Sequence, residues 1–545
     1  MRMAHLLLAA AFVVSAQQQN EPPKKARIEG SVVSLAGEPV PRATLRIVDA
    51  AAPASFTPAG SPGIVADDAG KFVFENVEPG RAYRVVAQRP GYLRAPYGAR
   101  SPMAPGIPVI AEVGLTVEGL VITMTPQSVI SGRVTDLTGD SVQGVQVIIL
   151  RRGYRSGVRQ LIAWTGTATD DQGAFRVADV PPGSYYALAR ELPNQVRAGR
   201  IATYYPSAPN PEAAVPIDVA PGTELRGIDI RFLTAQTYAV RGRVDVSAAP
   251  GERISVTAVP KGLTFGDISA SVRADNSFEI PNLAPGTYVI QTLARAVRNG
   301  EPSMRQNGGT EVTITSADLN GLVVPINTSL SITGTITVEG EDAAARSGAR
   351  PVLRGRPGKA TPASSAGSQV EVKGTFRISG LAPGNYQLQM ADLPTSAYVK
   401  SARFGDQDAL HSSINVTRSG GELVIVLSNK AAQVSGALRD DKAAPLTGFL
   451  VTLWPMDPEP ANATDGVRTT YTDRNGAFQF RGLPPGEYSV TAWEDADPEL
   501  VLSRDFLAGF ASEADKVTLT EGSQGVIDPK LVSMEKITAA EAKLP

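Results

Sequence analysis

A short phrase recurs five times in this chain of 545 residues, about once every hundred residues, and it constrains the fold more than any other feature. Each copy holds a phenylalanine, alternating apolar residues, a Pro-Gly pair and a tyrosine. The copies read GKFVFENVEPGRAY, GAFRVADVPPGSYY, NSFEIPNLAPGTY, GTFRISGLAPGNY and GAFQFRGLPPGEY. A repeat of this length is a whole domain rather than one rung of a solenoid. We call the five stretches of about a hundred residues, each containing one copy of the phrase, repeats 1 to 5.

The spacing of the phrase predicts five domains. We place them at residues 27–125, 129–233, 238–327, 330–428 and 433–533, followed by a C-terminal tail at 534–545. A domain of this size buries about two-thirds of the surface of its unfolded chain, enough for a core of its own. The linkers between the domains are short, so we expect a semi-extended array.

The first 16 residues have the pattern of a signal peptide. Arg2 precedes an apolar run from Leu6 to Val14, and small residues stand before Gln17. We expect cleavage there and a secreted or periplasmic protein. The run is far shorter than the ~20 residues of a spanning helix, so we expect no membrane span after cleavage; an uncleaved anchor is the alternative.

Repeat 2 shows the strand pattern most clearly. Alternating apolar residues predict strands at Ile130–Asp136 and Val145–Leu150, the latter with Val145, Val147 and Ile149 on one face. About seven such strands, separated by turn residues, predict a two-sheet β-sandwich. Helix signals are weak, and we expect short helical turns only near residues 316–319 and 539–543.

Two turns within the phrase have a conformational reason. In repeat 2, Asp170 stands three residues before Gly173, which predicts a hairpin turn with a side-chain cap and a positive φ at the glycine. Pro182-Gly183 predicts a type II turn. Repeat 1 has one more residue between its phenylalanine and its tyrosine than the other copies, so we expect a bulge or a longer turn there.

These motifs resemble those of a known family. ISGRVTD, VQGVQV, TDDQGAF and VPPGSY of repeat 2 are similar to the carboxypeptidase regulatory-like domain, a transthyretin-like or prealbumin-like fold related to Cna-B domains. The resemblance is strongest in repeats 2 and 5. It implies an all-β chain, a tandem array of five transthyretin-like, immunoglobulin-like, seven-stranded β-sandwiches. In peptidases of the family this domain is a non-catalytic appendage.

Composition argues against several functions. The chain has no cysteine, and His411 is its only histidine outside the signal, so it lacks the ligands of a typical zinc site and the usual base of a serine nucleophile. We expect His411 on the surface, and we predict no catalytic residue, no metal and no cofactor. The net charge of −2, with both signs mixed along the chain, argues against nucleic-acid binding.

Acidic turns in repeats 1, 2 and 5 resemble fragments of calcium loops. Calcium takes six to eight oxygen ligands, and each turn offers two or three, so we expect hairpin turns. Asp170 and Asp171 keep calcium as the alternative.

Aromatic residues give the best candidate binding site. Register places Trp454 and Trp493 on the outward face of two neighbouring strands of repeat 5, where they predict a flat platform for a sugar or a protein. The alternative is that they are covered by the repeat's own loop, such as residues 496–510, or by a neighbouring repeat. We expect Tyr204-Tyr205-Pro206 to pack over a sandwich end, with a binding role as its alternative.

Together these features predict an exported, non-enzymatic protein that acts as a spacer and interaction module of the cell envelope or extracellular space. The expected partners are polysaccharide or another envelope protein. The alternative is a carbohydrate-active or peptidase-associated enzyme with an unrecognised carboxylate pair.

Overall fold

The computed structural model describes residues 24–50, 63–102, 104–155, 158–192, 199–245, 253–261, 267–298, 301–306, 309–325, 330–339, 348–355, 365–370, 374–381, 383–456 and 466–544. The predicted signal peptide at residues 1–16 and the linker at 327–329 lie outside this part of the chain. Contacts divide the chain into two compact units. The first unit holds most of repeat 1, and the second holds repeats 2 to 5.

Strands of repeat 1 form one sheet of three strands and one of five. The three-stranded sheet has the order β4-β1-β8, and the other has the order β3-β2-β5-β6 with β7 also paired to β5. The strands are β1 (Ala26–Ser34), β2 (Thr44–Asp49), β3 (Ile64–Val65), β4 (Lys71–Val77), β5 (Arg81–Gln88), β6 (Ala95–Pro96), β7 (Val109–Ala111) and β8 (Thr116–Met124).

Repeat 2 has the same plan, with β9 paired to β12, β16 and β17 in one sheet and β11-β10-β13-β14 plus β15 in the other. Its strands are β9 (Ser128–Thr135), β10 (Gln146–Arg155), β11 (Val158–Ala168), β12 (Ala174–Val180), β13 (Gly183–Arg190), β14 (Thr203–Tyr204), β15 (Ile217–Val219), β16 (Glu224–Leu225) and β17 (Ile230–Arg231).

Repeat 3 again pairs a three-stranded sheet, β21-β18-β25, with a five-stranded sheet, β20-β19-β22-β23 with β24 paired to β22. Its strands are β18 (Tyr238–Asp245), β19 (Arg253–Pro260), β20 (Ile268–Ser271), β21 (Ser277–Leu283), β22 (Gly286–Arg298), β23 (Glu301–Gln306), β24 (Thr310–Ile314) and β25 (Leu319–Pro325).

Repeat 4 differs because one strand pairs with both layers. β28 joins β27 to β29, so the strands form one nine-stranded sheet of order β32-β31-β34-β26-β29-β28-β27-β30-β33. They are β26 (Leu330–Glu339), β27 (Arg350–Gly355), β28 (Ser365–Val370), β29 (Thr375–Leu381), β30 (Gly384–Ala391), β31 (Tyr398–Phe404), β32 (Gln407–Asp408), β33 (Ile414–Val416) and β34 (Glu422–Ser428).

Repeat 5 returns to the common plan, with sheets β38-β35-β41 and β37-β36-β39-β40, and β42 paired to β39. Its strands are β35 (Ala432–Ala437), β36 (Leu450–Pro455), β37 (Arg468–Tyr471), β38 (Ala477–Leu483), β39 (Gly486–Trp493), β40 (Asp515–Leu519), β41 (Gln524–Val526) and β42 (Leu531–Val532). A 3-10 turn (Leu500–Leu502) and helix α1 (Arg504–Ala508) complete it, and helix α2 (Met534–Glu541) lies in the C-terminal tail that packs on it.

The all-β fold is confirmed, since two β-layers recur along the described chain and helices are confined to the end of repeat 5 and the C-terminal tail. The helical turn expected near residues 316–319 is wrong, because a bend there leads directly into β25. In the tail, helix α2 begins before the predicted range, and α1 was not predicted. The exact domain boundaries stay predictions.

The predicted core face of repeat 2 is correct, but it is only half of what is buried. Val145, Val147 and Ile149 pack in the main core between the sheets. Ile148 and Leu150 point to the other side and pack in a second cluster with Tyr186 and Tyr204. Residues 151–155 and 158–163, for which no strand was predicted, belong to the long hairpin β10–β11.

The acidic turns are hairpin turns, as predicted. Oδ1 of Asp170 accepts hydrogen bonds from the backbone N–H groups of Gln172 (2.9 Å) and Ala174 (2.8 Å). Gly173 has φ +69°, and a Cβ there would lie 2.5 Å from the carbonyl oxygen of Val134. The turn therefore needs glycine for both its conformation and its closeness to β9.

The repeated tyrosine closes the turn that precedes it. Its hydroxyl donates to a backbone carbonyl four residues earlier in Tyr288 and Tyr488, and five residues earlier in Tyr83, at 2.9–3.0 Å. The extra residue of repeat 1 therefore lies inside the turn, as expected. Gly183 has φ +149°, which differs from the value near +80° of the predicted type II turn.

Candidate functional site

Trp454 and Trp493 lie on neighbouring antiparallel strands, β36 and β39, and point away from the core between the sheets, as predicted. The register separates them along the strands, because Trp454 is opposite Ser489 whereas Trp493 is opposite Leu450. The two rings are therefore not side by side.

Both rings are buried, with exposed fractions of 7% and 0%. The chain after β39 folds back over them: the ring centroid of Trp493 lies 5.4 Å from that of Phe506 and 5.0 Å from that of Phe510. Its indole Nε1 donates to Thr452 Oγ1 at 2.9 Å. The prediction of an exposed platform is therefore wrong, because Phe506 and Phe510, in the segment that follows β39, cover the apolar face. Ligand binding by these rings stays a prediction, and it requires this cover to move away.

A side chain from repeat 2 packs into the same apolar cluster. Tyr154 of β10 is 4% exposed and lies with Trp454 and Ile537. Its hydroxyl donates to Glu541 Oε1 of helix α2 at 3.3 Å, and Arg151 pairs with Asp497 at 3.7 Å. Repeat 2 therefore contacts repeat 5, so the predicted semi-extended array is wrong for repeats 2 to 5. The cause is apolar surface on β10, whose two faces are both covered.

A cleft of about 1250 Å³ lies between repeats 4 and 5. Its walls come from β30 and the chain leading into β31 on one side, and from the repeated turn at residues 483–488 on the other. The cleft is lined by four cationic side chains, Lys400, Arg468, Arg481 and Arg504, and by two acidic ones, Asp392 and Glu487.

One carboxylate joins the two repeats beside this cleft. Glu521 of repeat 5 accepts a hydrogen bond from the hydroxyl of Tyr398 at 2.7 Å and pairs with Lys400 at 3.4 Å. These contacts, led by the Tyr398 hydrogen bond, hold the pKa of Glu521 below its usual value. The ionised carboxylate thus favours the contact between the repeats.

A second cleft, of about 970 Å³, lies between repeats 2 and 3. The repeated turn of the later repeat, at residues 284–288, again forms one wall. Five cationic side chains line this cleft: Arg152, Arg159, Arg190, Arg200 and Lys261. Its acidic side chains are Glu191, Glu212 and Asp267. Glu191 forms a salt bridge with Arg200, with 3.0 Å between Oε1 and Nη1.

The lining of each cleft includes two more cations than carboxylates, although the whole chain carries a net charge of −2. Two of these cations are paired with carboxylates just outside the lining: Lys400 with Glu339 and Glu521, and Lys261 with Glu311. Sequence reasoning missed the clefts, because the charges are mixed along the chain and gather only when consecutive repeats meet. One signal was available: the Pro-Gly-x-Tyr turn, which has a conformational reason of its own, also recurs at the wall of each cleft. Tyr204, expected at a sandwich end, lines the cleft between repeats 2 and 3.

His411 lies on the surface, as expected, at the edge of the cleft between repeats 4 and 5. Its Nδ1 is 2.9 Å from Asp408 Oδ2. Partial burial raises the pKa of Asp408, but hydrogen bonds from His411 and from backbone amides outweigh it and lower the pKa. Within the described residues, no serine or threonine hydroxyl is hydrogen-bonded to the imidazole.

Metal ligands are not gathered in the described part of the chain, where no three His, Cys, Asp or Glu side chains form a group that could hold an ion. None of its helices is both long and apolar enough to cross a membrane.

Comparison with protein families supports the sequence resemblance. The model of the carboxypeptidase regulatory-like domain matches residues 129–195 and 433–532. These two segments are similar to carboxypeptidase regulatory-like domains. They lie in repeats 2 and 5, the two in which the motifs of this domain are most complete. The comparison with curated proteins found no match.

The solved structures that are similar to the chain include bacterial pilins and a collagen-binding protein. A streptococcal ancillary pilin is 11% identical and covers 54% of this chain and 98% of its own (TM-score 0.19). A minor pilin of Streptococcus agalactiae is 12% identical, and the match covers 39% of this chain and 97% of the pilin (TM-score 0.21). Two B repeats of the collagen-binding protein of Staphylococcus aureus are 11% identical and cover 74% and 100% (TM-score 0.13). These TM-scores are too low to carry an argument about function.

Proposed function

We propose that this chain is an exported, non-enzymatic binding protein whose carboxypeptidase regulatory-like domains hold polysaccharide in the clefts between consecutive repeats. The observation that supports this is the pair of clefts of about 970 and 1250 Å³, lined by five and four cationic side chains respectively. Volumes of this size are typical of sites for small ligands and short oligomers. Protein partners usually need a broader contact surface.

The contact between repeats 2 and 5 supports an interaction module more than a spacer. A spacer gains reach from an extended arrangement, whereas this contact folds the chain back on itself. Two similar clefts on one chain also favour binding to a repeating polymer, because the second contact then forms at a high effective concentration.

A glycan array with the full chain tests the proposal. We expect retention of polysaccharides without formation of new reducing ends. Retention of no glycan, combined with recovery of one envelope protein in a pull-down, would instead favour the protein partner.

The enzyme alternative has one structural support. The cleft between repeats 4 and 5 is lined by two carboxylates, Asp392 and Glu487, and by His411. Release of reducing ends from a retained glycan would overturn the non-enzymatic proposal, and loss of that release in Asp392→Asn or Glu487→Gln would locate the reaction.

A further inference from the structure

Arg190 is a half-buried cation in the cleft between repeats 2 and 3. It ends strand β13, and its Nε donates to Gln146 Oε1 at 3.0 Å. Burial lowers its pKa, and Asp267 offsets this in part without forming an ion pair with it. A half-buried guanidinium stays charged. Because Gln146 is neutral, it does not balance the charge of Arg190, and an anion would bind favourably there.

Tyr204 adds a second unmet group to the same cleft. Tyr204 is 3% exposed and lies on β14, opposite Leu188 of β13. Its hydroxyl has no hydrogen-bond partner. Burial raises the pKa of Tyr204 to about 12, so the hydroxyl remains a donor at neutral pH. An unpaired buried donor destabilises the free protein and is satisfied when a ligand supplies an acceptor.

The rest of the cleft suits a sugar. The amide side chains of Gln160 and Asn210 line it and can exchange hydrogen bonds with hydroxyl groups. Arg159 is exposed and lines the same cleft as Arg190.

We propose that the cleft between repeats 2 and 3 binds an oligosaccharide that carries carboxylate groups, with one carboxylate against Arg190. The Tyr204 hydroxyl is closed to water in the free cleft, so a ligand oxygen accepts from it only after the side chains around it move. This inference rests on the proposed function and names the class of polysaccharide. Planar guanidinium groups match carboxylates with two parallel hydrogen bonds, which selects acidic over neutral sugars.

Calorimetric titration of the full chain with a galacturonate trimer and its methyl ester tests the charge. The ester has the same sugar rings but no carboxylate, and we expect it to bind at least about tenfold more weakly. Arg190→Gln should weaken binding of the acid trimer by a similar factor and leave binding of the ester unchanged. Arg190→Lys keeps the charge and should retain part of the affinity. Equal binding of acid and ester, or wild-type affinity in Arg190→Gln, overturns the proposal.

Two further variants separate binding from folding. Tyr204→Phe removes an unpaired hydroxyl, so it should weaken the acid trimer severalfold without lowering the melting temperature. Arg226→Gln is the matched control, because Arg226 is exposed and pairs with Glu224 outside the cleft. It should bind as the wild type does.

The outcomes also separate this inference from the proposed function. If the acid trimer fails to bind while the array retains neutral glycans, the carboxylate inference fails and the proposed function stands. Binding of a sulfated trisaccharide or of inorganic phosphate in place of the acid trimer also overturns the inference. Failure of every glycan overturns both.

Discussion

Replacement of Trp493 by alanine tests whether the outward face of repeat 5 is core or binding surface. The side chain is fully buried, packs against Phe506 and Phe510, and donates a hydrogen bond to the buried Thr452. Truncation of a buried tryptophan costs about 3–5 kcal/mol. The orphaned hydroxyl of Thr452 adds roughly 1 kcal/mol. We therefore expect a loss of about 4–6 kcal/mol, a large part of the stability of a single domain.

Hydrogen exchange measured by mass spectrometry on the full chain is the suitable assay, because a chain of several domains does not unfold in one step. Each 1.4 kcal/mol changes an equilibrium about tenfold, so protection of peptides from strand β39 should fall by roughly three to four orders of magnitude. The limit is global unfolding of repeat 5.

Trp164→Ala serves as the control for this experiment. Trp164 is 39% exposed and donates one hydrogen bond to the carbonyl of Asp179 at 3.1 Å. We expect a loss below about 2 kcal/mol, because little packing is removed. A Trp493→Ala variant that loses less than tenfold protection would refute the burial argument and return the ring to the role of a ligand platform.

Three other perturbations test the turns and the contacts between repeats. Gly173→Ala should destabilise repeat 2 by roughly 1–3 kcal/mol in hydrogen exchange, because alanine is strained at positive φ and its Cβ would meet the Val134 carbonyl; unchanged protection would contradict this. Tyr154→Ala should separate repeat 2 from repeat 5 and increase the radius of gyration in X-ray scattering, and an unchanged radius would show that the contact is not maintained in solution. The contact that Glu521 makes with repeat 4 should weaken as the pH falls, because folding lowers the pKa of this carboxyl. The stabilisation from the ionised carboxylate is complete above the unfolded pKa near 4.5, and it is lost as the pH drops through the lower pKa of the folded chain. Exchange at strand β31 should therefore rise on acidification more in the wild type than in Glu521→Gln, and equal pH profiles would argue against it.

Much of the fold could be predicted because turns are specified by single residues. The Asp170 cap and the positive φ of Gly173 follow from local chemistry, and both are confirmed. Another local signal was missed: Asn76, Asp179 and Asn282 stand at the same position of the phrase and all have φ near +60°. Asparagine and aspartate tolerate that conformation, so the position could have been recognised as a bend before the Pro-Gly turn.

The candidate site was less predictable because it depends on what covers each strand face. Alternation correctly placed Trp454 and Trp493 on the face opposite the core. It gave no information about the segment that packs on that face, since Phe506 lies in the short helix α1 and Phe510 just after it, in a segment without the strand period of two. The continuous apolar run at residues 147–150 was the available sign that both faces of β10 are buried.

The sequence by itself determined the all-β layers, the hairpin turns and the resemblance to carboxypeptidase regulatory-like domains, because these depend on φ preferences and on a side-chain period of two. Only the tertiary structure decided that the tryptophans are covered, that repeat 2 contacts repeat 5, and that cations gather in the clefts between repeats. The physical reason is distance along the chain: Tyr154 and Glu541 are brought together by burial of apolar surface, which has no direction and leaves no local pattern.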